Sequence, residues 1–202
     1  NVVNNPTELD LFLKDFAALE GFKILVHGGG KIASEVSASM GLEPKMSGGR
    51  RITDEQTLNV VTMVYAGLLN KRIVSMLQGF DCNAIGLSGA DGNSIRAHKR
   101  VVRDLDYGFA GDVDAVSSGM IESLLRSGLS PVFCAITHDK KGQLLNTNAD
   151  TIASELAKGL CSKFEVELLY CFEKDGVLED VENKDSVVER LDGKKYEQMK
   201  EL

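Results

Sequence analysis

Apolar residues recur at helical spacing behind Pro6-Thr7-Glu8, at Leu9, Leu11, Phe12, Phe16 and Leu19, and Gly21 closes the stretch. Proline near the start and glycine past the end mark a first helix. The period then changes. Lys23-Ile24-Leu25-Val26 reads as a buried strand, and it runs into His27-Gly28-Gly29-Gly30. A helix is predicted over residues 31–40. Thr53-Asp54-Glu55-Gln56 has capping-box spacing, and the helix it opens carries Val60, Val61, Val64, Leu68, Leu69, Ile73 and Leu77. Residues 83–88 predict a short strand of small side chains that ends in Gly89-Ala90-Asp91-Gly92. Residues 94–113 alternate irregularly, as hairpin strands do. Residues 116–126 are helical, residues 131–136 form another buried strand, and Asp139-Lys140-Lys141-Gly142 is a turn. Asn146-Thr147-Asn148-Ala149-Asp150 leads into a helix ending near Leu160, and residues 165–172 predict a further strand.

Strands alternating with helices imply an α/β fold: a mainly parallel sheet covered by helices on both faces, with antiparallel hairpins at its rim. No repeat or low-complexity linker divides the chain. The weakest join is the polar turn at residues 136–145, which separates residues 1–140 from 141–202.

Composition narrows the function classes. The 202 residues are 43% apolar and 26% charged, as in globular domains, and no apolar run approaches the roughly 18 residues a bilayer helix needs. A net charge of −7 argues against nucleic acid or an anionic membrane as partner. Any anionic ligand must then be held by local devices. Cys82, Cys134, Cys161 and Cys171 match no zinc or redox spacing, and Cys82, Cys134 and Cys171 lie in or beside apolar runs; free thiols in a reducing cytoplasm are the reading. Three histidines without ligand spacing leave no metal site.

Three motifs carry candidate chemistry. Gly28-Gly29-Gly30 between strand and helix lets a ligand approach the backbone, where free N–H groups and the helix dipole favour an anion. The spacing fits neither a Walker A loop nor a dinucleotide fingerprint. In Gly48-Gly49-Arg50-Arg51 the arginines suit a fork-like grip on a carboxylate, Arg51 better than Arg50 because it adjoins a helix start. Asn146, Asn148 and Asp150 are more polar groups than one helix cap requires, which suggests ligand contacts. The charged glycine turn Glu173-Lys174-Asp175-Gly176-Val177-Leu178 reads by itself as a solvated loop. His27 either donates to a ligand or braces the glycine loop.

In this order the blocks resemble the N-acetyl-L-glutamate kinases of the amino acid kinase family. The resemblance extends over Val26–Gly30, Gly49–Asp54, Val60–Val64, Asn70-Lys71, Gly86–Gly92, Gly108–Val113 and Asn146–Asp150, nearly the whole chain. It implies a three-layer αβα sandwich and MgATP-dependent phosphorylation of the side-chain carboxylate of N-acetylglutamate, giving an acyl phosphate in the second step of arginine biosynthesis. It implies that Gly29 and Gly30 offer backbone N–H groups to the substrate and that Arg51 and Asn146 hold its α-carboxylate, with Asn148 beside them. Asp150 would organise two lysines that neutralise the transferring phosphoryl group. It further implies a cytoplasmic homodimer whose residues 1–140 bind acylglutamate and dimerise, while 141–202 belong to the nucleotide lobe, with ATP held at residues 173–178.

Two departures accompany the resemblance. The family's lysine-glycine first strand would precede Asn1 and its second lysine would follow Leu202, so the fold is expected to be incomplete at both ends. A Thr/Ser-Asp pair usual at the nucleotide loop stands here as Phe172-Glu173. Whether the acyl group is acetyl or succinyl stays open. Aspartokinase, UMP kinase and carbamate kinase explain the Arg51 block less well. A non-catalytic ligand-binding module of the same fold is the reading from another class. A dinucleotide oxidoreductase lacks the acidic residue expected after a second strand.

Overall fold

The computed structural model describes residues 2–103, 105–171, 176–180, 182–183 and 185–199, the side chains of Lys194 and Gln198 excepted. Along the chain run α1 (Pro6–Ala18), β1 (Leu25–His27), α2 (Gly30–Ser39), β2 (Lys45–Ser47) and β3 (Arg50–Ile52). A continuous helix follows, made of α3 (Glu55–Thr62), a π-helical turn (Met63–Leu69) and α4 (Asn70–Gly79). Then come β4 (Ala84–Leu87), β5 (Ile95–Lys99), β6 (Ala110–Val116), α5 (Ser118–Arg126), β7 (Ser130–Cys134), β8 (Ile136–His138), β9 (Leu144–Thr147), α6 (Ala149–Leu160) and α7 (Gly193–Met199).

The middle layer is a parallel sheet in the order β1-β7-β4. Its strands are apolar on both faces, so each face must be covered. On one side Leu25, Ala84 and Val132 pack with Leu9, Leu13 and Phe16 of α1 and with Ile73 and Leu77 of α4. On the other, Leu87 and Phe133 pack with Ile121 and Leu125 of α5 and with Ile152, Leu156 and Leu160 of α6. Neighbours Val132 and Phe133 thus serve opposite faces, as strand alternation requires. The expected three layers are present.

The antiparallel pieces differ from the expectation. β5, β6, β9 and β8 do not stay as rim hairpins; they close into a four-stranded barrel beside the sheet. Closure removes the exposed edges that two separate hairpins would leave. Residues 165–171 do not form the predicted strand either. An alternating pattern needs a partner ladder to become a strand, and the free edge of β1 has no partner among the described residues. Leu169 and Tyr170 accordingly remain exposed. The helix start is also one residue later than predicted: the Asp54 carboxylate accepts the Thr57 N–H at 2.8 Å, while Thr53 turns into the core.

The helix Glu55–Gly79 is long and apolar enough, by length and composition, to cross a membrane. Its inward face belongs to the core, with Val60, Val61, Val64, Tyr65, Leu69, Ile73 and Leu77 all buried. The π turn alters which residues those are. One extra residue per turn rotates the following segment, so Tyr65 and Leu69 face inward while Leu68, placed by pattern on the apolar face, is 55% exposed. Leu69→Ala is expected to cost about 2–5 kcal/mol of stability in urea unfolding. Leu68→Ala should stay within about 0.5 kcal/mol. Equal costs would mean that the helix keeps α phase through this turn.

Candidate active site

β1 delivers the chain into Gly28-Gly29-Gly30, and α2 begins there with Gly29 as its N-cap. Gly29 has φ 155°, and a Cβ on it would lie 2.2 Å from Leu69 Cδ1 and 3.1 Å from the Tyr65 ring. Only glycine fits that approach to the π turn. No side chain caps α2 and no acidic residue lies in its first turn, so its leading N–H groups and positive dipole end are available. A Cβ on Gly28 would sit 3.7 Å from Ala149 Cβ. The start of α6 therefore abuts the same loop.

Arg51 enters from the β2–β3 hairpin and is 7% exposed. Its Nη2 donates to Gly30 O at 2.9 Å and to Ser34 Oγ at 2.8 Å. Its Nη1 is buried and has no partner among the described residues. No described carboxylate pairs with this guanidinium, and it lies against the positive end of α2. Burying an unpaired cation there costs several kcal/mol unless an anion joins it. Arg50 differs: it faces Asp112 at 3.7 Å, and Arg100 grips the same carboxylate with two bonds of 2.9 and 3.1 Å.

Asn146 lies in the barrel strand β9, one residue before its end, and donates from Nδ2 to Thr53 Oγ1 at 3.0 Å. Thr53, fully buried, donates in turn to Arg51 O at 3.1 Å. Asn146 and Arg51 are thus tied through one hydroxyl although 95 residues apart in sequence. Asn148 is exposed, and its Oδ1 accepts the Thr151 N–H at 2.9 Å, which makes it the N-cap of α6. Asp150 is exposed in the first turn of α6, where its backbone oxygen accepts from the Tyr170 hydroxyl.

Gly28–Gly30, Arg51, Asn146, Asn148 and Asp150 line one groove of about 1240 Å³. Gly176, Val177 and Leu178 are not among its lining residues; Leu178 bridges Val187, and Val188 N donates to Val177 O. Glu173, Lys174 and Asp175, also expected at the nucleotide, lie outside the described residues. Tyr65 lines the groove and was missed by pattern reading, because a tyrosine within an apolar stripe reads as core. Burial pushes its phenol up, and the adjacent Arg51 guanidinium pulls it back. Of the three thiols in or beside apolar runs, Cys82 and Cys134 are buried, but Cys171 is exposed. Burial pushes the Cys134 thiol up to about 12, which makes it inert as a nucleophile.

The sequence profile of the amino acid kinase family matches residues 1–202. The chain belongs to the amino acid kinase family. Within it, an acetylglutamate kinase from Cytophaga hutchinsonii is 54% identical over 201 residues, which covers 99% of this chain and 76% of the relative. One from Phocaeicola vulgatus is 57% identical over 187 residues, covering 93% and 73%. One from Methanopyrus kandleri is 40% identical over 193 residues, covering 94% and 77%. A solved N-acetylglutamate synthase from Neisseria gonorrhoeae, complexed with coenzyme A and N-acetylglutamate, superposes with a TM-score of 0.65. At 22% identity, over 77% of this chain and 37% of that one, it speaks for the fold.

Within this kinase, Gly29→Ala should strain the loop by about 1–3 kcal/mol and displace Leu69. Loss of ligand binding by calorimetry together with a lowered urea midpoint is the expected result. Unchanged binding would remove Gly29 from the site.

Proposed function

We propose that this chain phosphorylates the side-chain carboxylate of N-acetyl-L-glutamate with MgATP, yielding ADP and an acyl phosphate for arginine biosynthesis. The observation that carries the reading is the Arg51 guanidinium, buried without a counter-charge in a groove that also holds an uncapped helix start. The high identity to acetylglutamate kinases supplies the substrate class.

In this reading the substrate α-carboxylate takes the free Nη1 of Arg51, and Asn146, fixed by Thr53, contributes the second contact. The N–H groups of Gly29 and Gly30 hold the reacting end of the substrate. One side-chain carboxylate oxygen attacks the γ-phosphorus, the bond to the bridging oxygen breaks, and ADP leaves with that electron pair. No protein nucleophile or general base is required, so positioning and charge compensation supply the rate. Asp150, at the rim of the groove, fits the family role of organising the lysines near the phosphoryl group. Mg²⁺ enters with the nucleotide; no described cluster of His, Cys, Asp or Glu forms a resident metal site.

The turn at residues 173–178 is the proposed nucleotide contact, with residues 1–140 as the acylglutamate side and 141–202 as part of the nucleotide side. A cytoplasmic homodimer completes the proposal. An assay of the full-length gene product with acetyl- and succinyl-glutamate side by side tests the activity. ADP release that ignores acylglutamate, or equals that with aspartate or UMP, would refute it. Arg51→Ala should weaken acylglutamate binding by about 2–4 kcal/mol in calorimetry, because one charge of a desolvated pair is lost. Asp150→Asn should lower turnover more than affinity. The reverse split would make Asp150 a plain substrate contact.

A further inference from the structure

A chain of hydrogen bonds, buried at its centre and exposed at its Lys71 end, reaches the glycine loop from behind. Lys71 Nζ donates to Asn70 Oδ1 at 3.1 Å and to Gly86 O at 3.2 Å. Asn70 Nδ2 lies 2.9 Å from Val132 O and 3.2 Å from His27 Nε2. His27 Nδ1 lies 2.8 Å from Gly28 O. Asn70 and His27 are 1% and 4% exposed.

The directions of these bonds follow from chemistry. A lysine ammonium needs an acceptor and a peptide carbonyl needs a donor, so the Asn70 amide has one workable orientation. Its Nδ2 therefore donates to His27 Nε2. The single proton of a neutral imidazole then sits on Nδ1 and is donated to Gly28 O. Burial lowers the His27 pKa, with the Gly28 carbonyl acting the other way. Gly86 leaves room for the arrangement, since a Cβ there would fall 1.9 Å from Asn70 Oδ1.

The peptide joining Gly28 to Gly29 is planar and trans, so its C=O and N–H point in opposite directions. Fixing the carbonyl on His27 turns the Gly29 N–H away from the imidazole, and that N–H has no partner among the described residues. We propose that His27, oriented by Asn70, is a positioning residue that sets the Gly28–Gly29 peptide so that the Gly29 N–H is aimed at the substrate anion. This rests on the reading of the glycine loop as the acylglutamate site. An apolar side chain could fill the same space with less desolvation, but it would leave the Gly28 carbonyl without this donor. Lys71 and Asn70, which the sequence offers only as part of the family resemblance, form the back of this relay.

The test combines two variants with a spectroscopic signature. His27→Leu should lower kcat/KM for acetylglutamate at least about tenfold, since a donor aimed at developing charge is displaced. His27→Gln, whose amide can both donate and accept, should recover most of that loss. In ¹⁵N NMR of the wild-type protein the imidazole should be the Nδ1–H tautomer. The Gly29 amide should shift when acetylglutamate is added to wild type, and not in His27→Leu. An Nε2–H or doubly protonated ring in wild type overturns the inference even if the leucine variant does not fold. A folded His27→Leu with unchanged kcat/KM and a responsive Gly29 amide overturns it as well. Wild-type protein that binds no acetylglutamate brings down the site reading itself, which separates the two failures.

Discussion

The site depends on a charge that the described protein leaves uncompensated. Arg51 is held by neutral groups, Gly30 O and Ser34 Oγ, which fix its direction without cancelling its charge. The start of α2 adds a second positive potential at the same place. Repulsion between the two must be borne by the surrounding fold in the absence of ligand, and one anion relieves both. The chain as a whole carries −7, yet a distant carboxylate screened by solvent over about 8 Å does little at a buried guanidinium. Global repulsion of anions and local demand for one are therefore compatible.

Holding that charge in place requires parts of the fold that are far apart in sequence to meet within a few ångströms. Thr53 is the junction. It donates to the Arg51 carbonyl, accepts from Asn146 of the barrel, and exchanges backbone bonds with the segment at Tyr107 and Phe109. Gly108 permits this approach: its φ is 64°, and a Cβ would fall 2.2 Å from Thr53 O. Barrel and parallel sheet share β7–β8 through Ala135, whose carbonyl accepts from Thr147 N. The groove thus lies where two rigid layers join, and its polar groups are set by both.

Much of this was legible in the chain. The αβα layering, the glycine loop, Arg51 and Asn146 could be read because local pattern and family order agree at those positions. Other features could not, for separable reasons. Barrel closure depends on pairings such as Ala110 with Asn146, which no local periodicity encodes. The π turn breaks the very period used to assign faces, so Leu68 was placed inside and Tyr65 was passed over. Thr53 fits a capping box by spacing, but its hydroxyl is worth more as the buried link between Arg51 and Asn146, and Asp54 caps instead. Residues 165–171 have the composition of a strand but pair with no strand among the described residues.

Tyr65 and Leu69 show why the irregular turn persists. A straight α-helix would present a different pair of side chains to Gly29, and that glycine is already packed to within 2.2 Å of Leu69 at its missing Cβ. The same rotation carries Asn70 to the rear of β1, where it meets His27 and Val132. One insertion in helix phase therefore serves both sides of the loop: apolar packing with a phenol in front, polar bracing behind. A π turn sacrifices hydrogen-bond quality within the helix. Its retention here follows because the loop must be held from two directions at once, and no uninterrupted α-helix presents both sets of groups to a three-glycine segment.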